Sequence, residues 1–229
     1  MPGNDRGRDR VQEDTFDLKL TSISLLNPPL TKLLTKCSNM LWEYWLGIHS
    51  RGALHKAAGS DSVPYSTSSY GAIMKILHNL SPRPSDVFVD IGCGKGRVLC
   101  CASRFRIREV VGIEIDKSLC AAARRNAERA RGKKSPIRII NASAQEFDYG
   151  AGTLYYLFHP FGAATLSQVL DRIEQSLQLY PRQIRIVYLN PVAEFLLENR
   201  NWLEMYERWQ AGDKFGLMHD VSFWQGNSA

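Results

Sequence analysis

The 229 residues carry a formal net charge of +6, with 44% apolar and 23% charged side chains, the balance of a globular chain able to bury a large core. No apolar run approaches the ~20 residues of a membrane span, and the charged N-terminus lacks the apolar stretch of a secretory leader, so a cytoplasmic protein is expected. Five cysteines without a C-x-x-C pair argue against a disulfide scaffold and a zinc site, and no metal is expected. Residues 1–15 are polar and rich in Gly, Arg and Asp, and read as a disordered tail. Residues 16–63 read as an N-terminal helical extension or lid. Within it Leu30, Leu33, Leu34, Cys37, Leu41, Tyr44 and Trp45 recur at helical spacing after a Pro28-Pro29 start, with Asn27 as a cap. The Trp42-Glu43-Tyr44-Trp45 cluster reads mainly as a packing face, with a lid as the alternative. Gly47 to Tyr65 reads as a loop, and Ser66 to Leu80 as a helix capped by Ser66, Thr67 or Ser68 and stopped by Pro82 and Pro84.

The most informative stretch follows. Val87-Phe88-Val89-Asp90-Ile91 is an apolar strand run holding an acid, and Gly92, Gly94 and Gly96 then alternate up to a helical pattern from Val98 to Phe105. Glycines so placed let the backbone turn sharply and approach a ligand at a helix N-terminus. A pyrophosphate-binding loop has the spacing G-x-G-x-x-G. Here the spacing is G-x-G-x-G, and Asp90 suits a cationic ligand where it would repel a pyrophosphate. Glu109 to Asp116 is a second strand, and its Glu114 lies about 20 residues past the loop, where doubly wound folds place a carboxylate on ribose hydroxyls. Asp116 caps a helix from Lys117 to Arg131.

The alternation continues with strands at 137–141, 153–158 and 184–189, a helix at 165–179 and a short helix at 193–199. Segments 202–209 and 215–224 read as a closing hairpin joined by Ala211-Gly212-Asp213. The fold class is α/β: a doubly wound, mostly parallel seven-stranded sheet with a terminal antiparallel hairpin and an N-terminal helical extension.

The strings D-I-G-C-G-K-G and V-G-I-E-I-D resemble the first two motifs of class I S-adenosylmethionine-dependent methyltransferases. The likeness spans roughly residues 64–225, and residues 64–229 are expected to form the cofactor-binding domain. It is similar to a bacterial-type stand-alone group, with some similarity to non-SET lysine methyltransferases. The resemblance implies a cofactor site of Tyr65, Ser68, Asp90, Gly92, Cys93, Gly94, Gly96, Glu114, Ile115, Ser143, Ala144, His159 and Pro160. Glu114 would take the ribose, and Ser143 stands where relatives carry an Asp for the adenine amine. His159-Pro160-Phe161-Gly162 occupies the place of an Asn/Asp-Pro-Pro-aromatic motif, and losing that amide or acid disfavours methylation of a nucleic-acid base.

Three residues are the catalytic candidates: His159, Tyr65 and Asn190. His159 is either a proton acceptor or a structural residue before Pro160, and Asn190 faces the crevice or caps the helix begun by Pro191. Phe161 lines the methyl pocket or packs. The expected activity is methyl transfer to a nitrogen or oxygen of a small molecule or protein side chain, with RNA as the alternative. Clustered cations (Arg124, Arg125, Arg129, Arg131, Lys133, Lys134) keep a nucleic-acid partner open, but read first as a solvated helix end. A nicotinamide oxidoreductase is opposed by the glycine spacing, and a non-catalytic module by the intact acids.

Overall fold

A computed structural model of the chain describes residues 28–51, 67–214 and 216–226. Tyr65, the tail and much of the 16–63 extension lie outside the described residues. The elements are α1 (Pro28–Leu46), α2 (Tyr70–Leu80), β1 (Val87–Ile91), α3 (Arg97–Ala102), β2 (Glu109–Glu114), α4 (Lys117–Arg129), β3 (Ile137–Asn141), β4 (Leu154–Phe158), α5 (Ala163–Leu179), β5 (Ile184–Leu189), α6 (Phe195–Glu198), β6 (Leu203–Trp209) and β7 (Val221–Gly226).

Every residue of β1 is buried, as expected of a central parallel strand covered on both faces. The sheet order is β3-β2-β1-β4-β5-β7-β6, parallel through β5 and antiparallel at β7 and β6. One face packs Phe88, Val110, Leu154, Tyr156 and Val187 under α2 and α3. The other packs Val89, Ile113, Tyr155 and Ile186 against Leu166, Val169, Leu170 and Ile173 of α5. Each such apolar side chain taken fully from water contributes roughly 1.5–3 kcal/mol. Among the described residues no helix is long and apolar enough to cross a membrane.

Several local expectations are corrected. The cap of α2 is Ser69, whose side chain accepts from Ala72 N, so the helix starts later than the serine-rich run suggested. The closing hairpin is joined by more than its turn at Ala211-Gly212-Asp213, where Asp213 N donates to Gln210 O. Residues 210–220 connect β6 to β7, pinned where Ala211 N donates to Asp220 Oδ1 and Gln210 N donates to Asp213 Oδ2. Leu217 is buried within this connection and plugs the core, while Met218 beside it is exposed. The inward side of α1 is also displaced from its apolar positions: Glu43 and Leu46 are buried, while Leu33, Leu41 and Tyr44 are exposed.

All five thiols are free. Burial pushes those of Cys93, Cys101 and Cys120 upward and that of Cys100 to about 12. Cys37, on α1, is exposed.

Candidate functional site

Strand order reverses between β2 and β4 on either side of β1, and the crevice of an open α/β sheet forms at the carboxyl ends of such strands. The loop after β1 turns there through Gly92, Gly94 and Gly96, all in the left-handed region. A Cβ on Gly92 would sit 2.5 Å from Cβ of Pro160, so the loops after β1 and β4 are in contact. The amides of Gly92 and Cys93 both donate to Ile113 O, and Gly96 N donates to Cys93 O. Cys93 turns its thiol inward beneath Gly112, so its polar groups serve the loop itself.

Two carboxylates stand side by side under this loop. Glu114, at the end of β2, accepts from Gly94 N through Oε2 and from Asp116 N through Oε1, both at 2.9 Å. Burial still raises its pKa, against those backbone hydrogen bonds. Asp90 is 3% exposed, and among the described residues its Oδ2 has no hydrogen-bond partner. Burial first, and the Glu114 charge second, push Asp90 well above the usual carboxylate range. An unpaired buried carboxylate costs stability, so this arrangement suits a cationic ligand.

The end of β3 is tied to this corner. Asn141 Nδ2 donates to the carbonyls of Glu114 and Ile115, and Ala142 N donates to Glu114 O. Ile115 is 47% exposed on the rim. Ser143 engages Gln145, and the Ala144 carbonyl accepts from the Tyr149 hydroxyl.

β4 and β5 end alike, each in a left-handed non-glycine residue: His159 at φ 37° and Asn190 at φ 53°. Such backbone is uncommon and concentrates at functional sites. His159 Nδ1 lies 3.4 Å from the Tyr188 hydroxyl, and partial burial holds the imidazole below its usual pKa. Asn190 does not cap the following helix. Its N–H donates to Asp220 O, and Glu194 is the residue that precedes α6. Phe161 is buried in the core beneath α5, so it packs.

A buried polar network joins the N-terminal helix to the glycine loop, and sequence reasoning missed it. Arg97, the first residue of α3, donates from Nε to Ser50 Oγ at 2.7 Å and from Nη1 to Ser68 O at 2.7 Å. Its Nη2 lies 3.4 Å from Glu43, and its guanidinium covers the Tyr70 ring, which stacks on Trp42. Glu43 also accepts from Ser50 N, Ser50 Oγ, Arg51 N and Arg51 Nε. These hydrogen bonds hold its carboxyl below the ordinary range in spite of burial. Ser68 is thus anchored by its carbonyl beside the glycine loop. The one available signal was an arginine directly after three glycines.

Residues 88–178 match the family model described as a methyltransferase domain. A curated protein-lysine N-methyltransferase of Saccharolobus islandicus is 27% identical over 42% of this chain, which spans 60% of that protein's length. A SAM-dependent O-methyltransferase from Thermotoga maritima superposes with a TM-score of 0.53 at 14% identity, covering 71% of this chain and 67% of its own. A dimethyladenosine transferase from Plasmodium falciparum gives a TM-score of 0.52 at 12% identity, covering 72% and 64%. At these identities the structures share a fold, and their names span different acceptors.

Proposed function

We propose that the chain is a class I S-adenosylmethionine-dependent methyltransferase that moves a methyl group to a nitrogen or oxygen nucleophile of a small molecule or protein side chain. The carrying observation is Asp90, a buried carboxylate with an unpaired oxygen beside Glu114 under the glycine loop. That donor set fits S-adenosylmethionine, which has a cationic end, a ribose and no phosphate. When bound, the cofactor supplies an electrophilic methyl group on a sulfonium.

The chain's residues do the rest. Asp90 faces the cationic end, Glu114 accepts from the ribose hydroxyls, and Ile115, Ser143 and Ala144 flank the adenine. Gly92, Cys93, Gly94 and Gly96 shape the loop, and Ser68, Tyr65 and Pro160 close the methionine end. The proposed cofactor-binding domain comprises residues 64–229, with 16–63 as an N-terminal helical lid or extension. Holding donor and acceptor in line and excluding water is the main catalytic task. His159, its pKa lowered by partial burial, would accept the proton that the acceptor nitrogen or oxygen loses on methylation, the carbon–sulfur bond of the donor breaking to leave a neutral thioether. Asn190 orients the acceptor from the adjacent strand end.

Calorimetry with S-adenosylhomocysteine and with NADH tests the donor. Binding of the former, abolished by Asp90→Ala, is expected, and binding of NADH alone would overturn the proposal. Labelling a lysate with methyl-tritiated cofactor, then sorting protein, RNA and small-molecule fractions, identifies the acceptor. Label in the protein or small-molecule fraction is expected.

A further inference from the structure

Asp90 is not the sole buried polar group facing this corner. Tyr156 on β4 is paired in register with Asp90 on β1, and Asp90 lies two residues beyond Phe88, whose ring is 6.3 Å from that of Tyr156. Both side chains therefore project from the same sheet face, toward α2. Tyr156 is 1% exposed, and among the described residues its hydroxyl has no hydrogen-bond partner. Two unpaired buried polar atoms on adjacent strands are a costly coincidence unless one ligand satisfies both. The side chain of Ser68, whose carbonyl is anchored by Arg97, lies near enough to lower the phenol's pKa but is not placed to complete a hydrogen bond with it.

We propose that Tyr156 completes a subsite for the α-ammonium group of the cofactor, its hydroxyl and the Asp90 carboxylate together accepting the ammonium N–H donors. An ammonium has three donors and no acceptor, which suits a carboxylate and a phenol oxygen. Burial and the Asp90 charge both raise the Tyr156 pKa, so the phenol stays neutral and Asp90 bears the charge. This assignment rests on S-adenosylmethionine being the ligand.

The test is calorimetric. Wild type, Tyr156→Phe, Asp90→Asn and the double variant are titrated with S-adenosylhomocysteine and with its desamino analogue, which keeps the carboxylate and lacks only the ammonium. Tyr156→Phe preserves ring volume, and the thermal midpoint of each ligand-free variant checks the fold. The wild type is expected to prefer S-adenosylhomocysteine, and Tyr156→Phe to weaken that ligand about tenfold, the size of a hydrogen bond to a charged group. The same change should leave the analogue nearly unaffected, and the two substitutions should be non-additive. Equal binding of S-adenosylhomocysteine by Tyr156→Phe, or an equal loss for both ligands, overturns the subsite while leaving the methyltransferase proposal standing. A wild type that binds neither ligand removes both.

Discussion

Asp90 concentrates the conflict between stability and binding in one side chain. Its folded pKa is raised, so the stability it contributes is present below the unfolded carboxylate range and is lost as pH rises through the folded value. Asp90→Asn is therefore expected to stabilise the ligand-free protein at neutral pH by about 1–3 kcal/mol, because it removes a buried carboxylate, while weakening cofactor binding. Thermal unfolding with and without S-adenosylhomocysteine checks both halves. Affinity in the wild type should also fall as the pH is lowered through the raised pKa, because binding must then expel a proton. His159 gives the complementary prediction. Its pKa is depressed by burial, so the base is lost only at pH values below about 6.5. The rate should fall along that acid limb, and His159→Ala should lower kcat by about 100-fold or more while cofactor affinity is retained. A variant with unchanged turnover would make His159 a turn residue.

At the scale of elements, α1 is held by charge as much as by apolar packing. Removing Glu43 leaves the Arg97 guanidinium buried beside an exposed Arg51. Glu43→Ala is expected to cost about 3 kcal/mol, as for a broken buried pair, read in urea unfolding, and to weaken cofactor binding through Ser68. This inward side was illegible beforehand, because periodicity marks apolar faces and the residue that turns inward is a glutamate. Strands β1, β2 and β4 and the Asp90, Gly92 and Glu114 spacing were legible for the opposite reason. A parallel strand covered on both faces is an uninterrupted apolar run, and a glycine loop must carry its glycines in order. The closing hairpin was misjudged where Leu217 and the Asp220 side chain organise a long connection. Tyr156 lay hidden inside an aromatic strand, since only register against β1 sets its hydroxyl beside Asp90.

Across the whole molecule, the positive charge and the crevice occupy opposite rims. Arg106 and Arg108 precede β2, and Lys133 and Lys134 precede β3, at the amino ends of the strands. An open groove of about 500 Å³ lies there, lined by Arg124, Lys133 and Lys134 among others. Charge reversal at Arg106 and Lys134 is expected to leave methyl transfer unchanged and to remove any salt-dependent RNA binding, measured in parallel by label incorporation and filter binding. A fall in turnover would point to a polyanionic acceptor spanning both rims. The thiols offer a different use. Four are buried and held as thiols, and the exposed one, Cys37, sits on the helix that is tied to the glycine loop. The native chain thus accepts a single maleimide dye at that helix, and its emission during ligand titration would report in real time whether α1 shifts as the crevice fills.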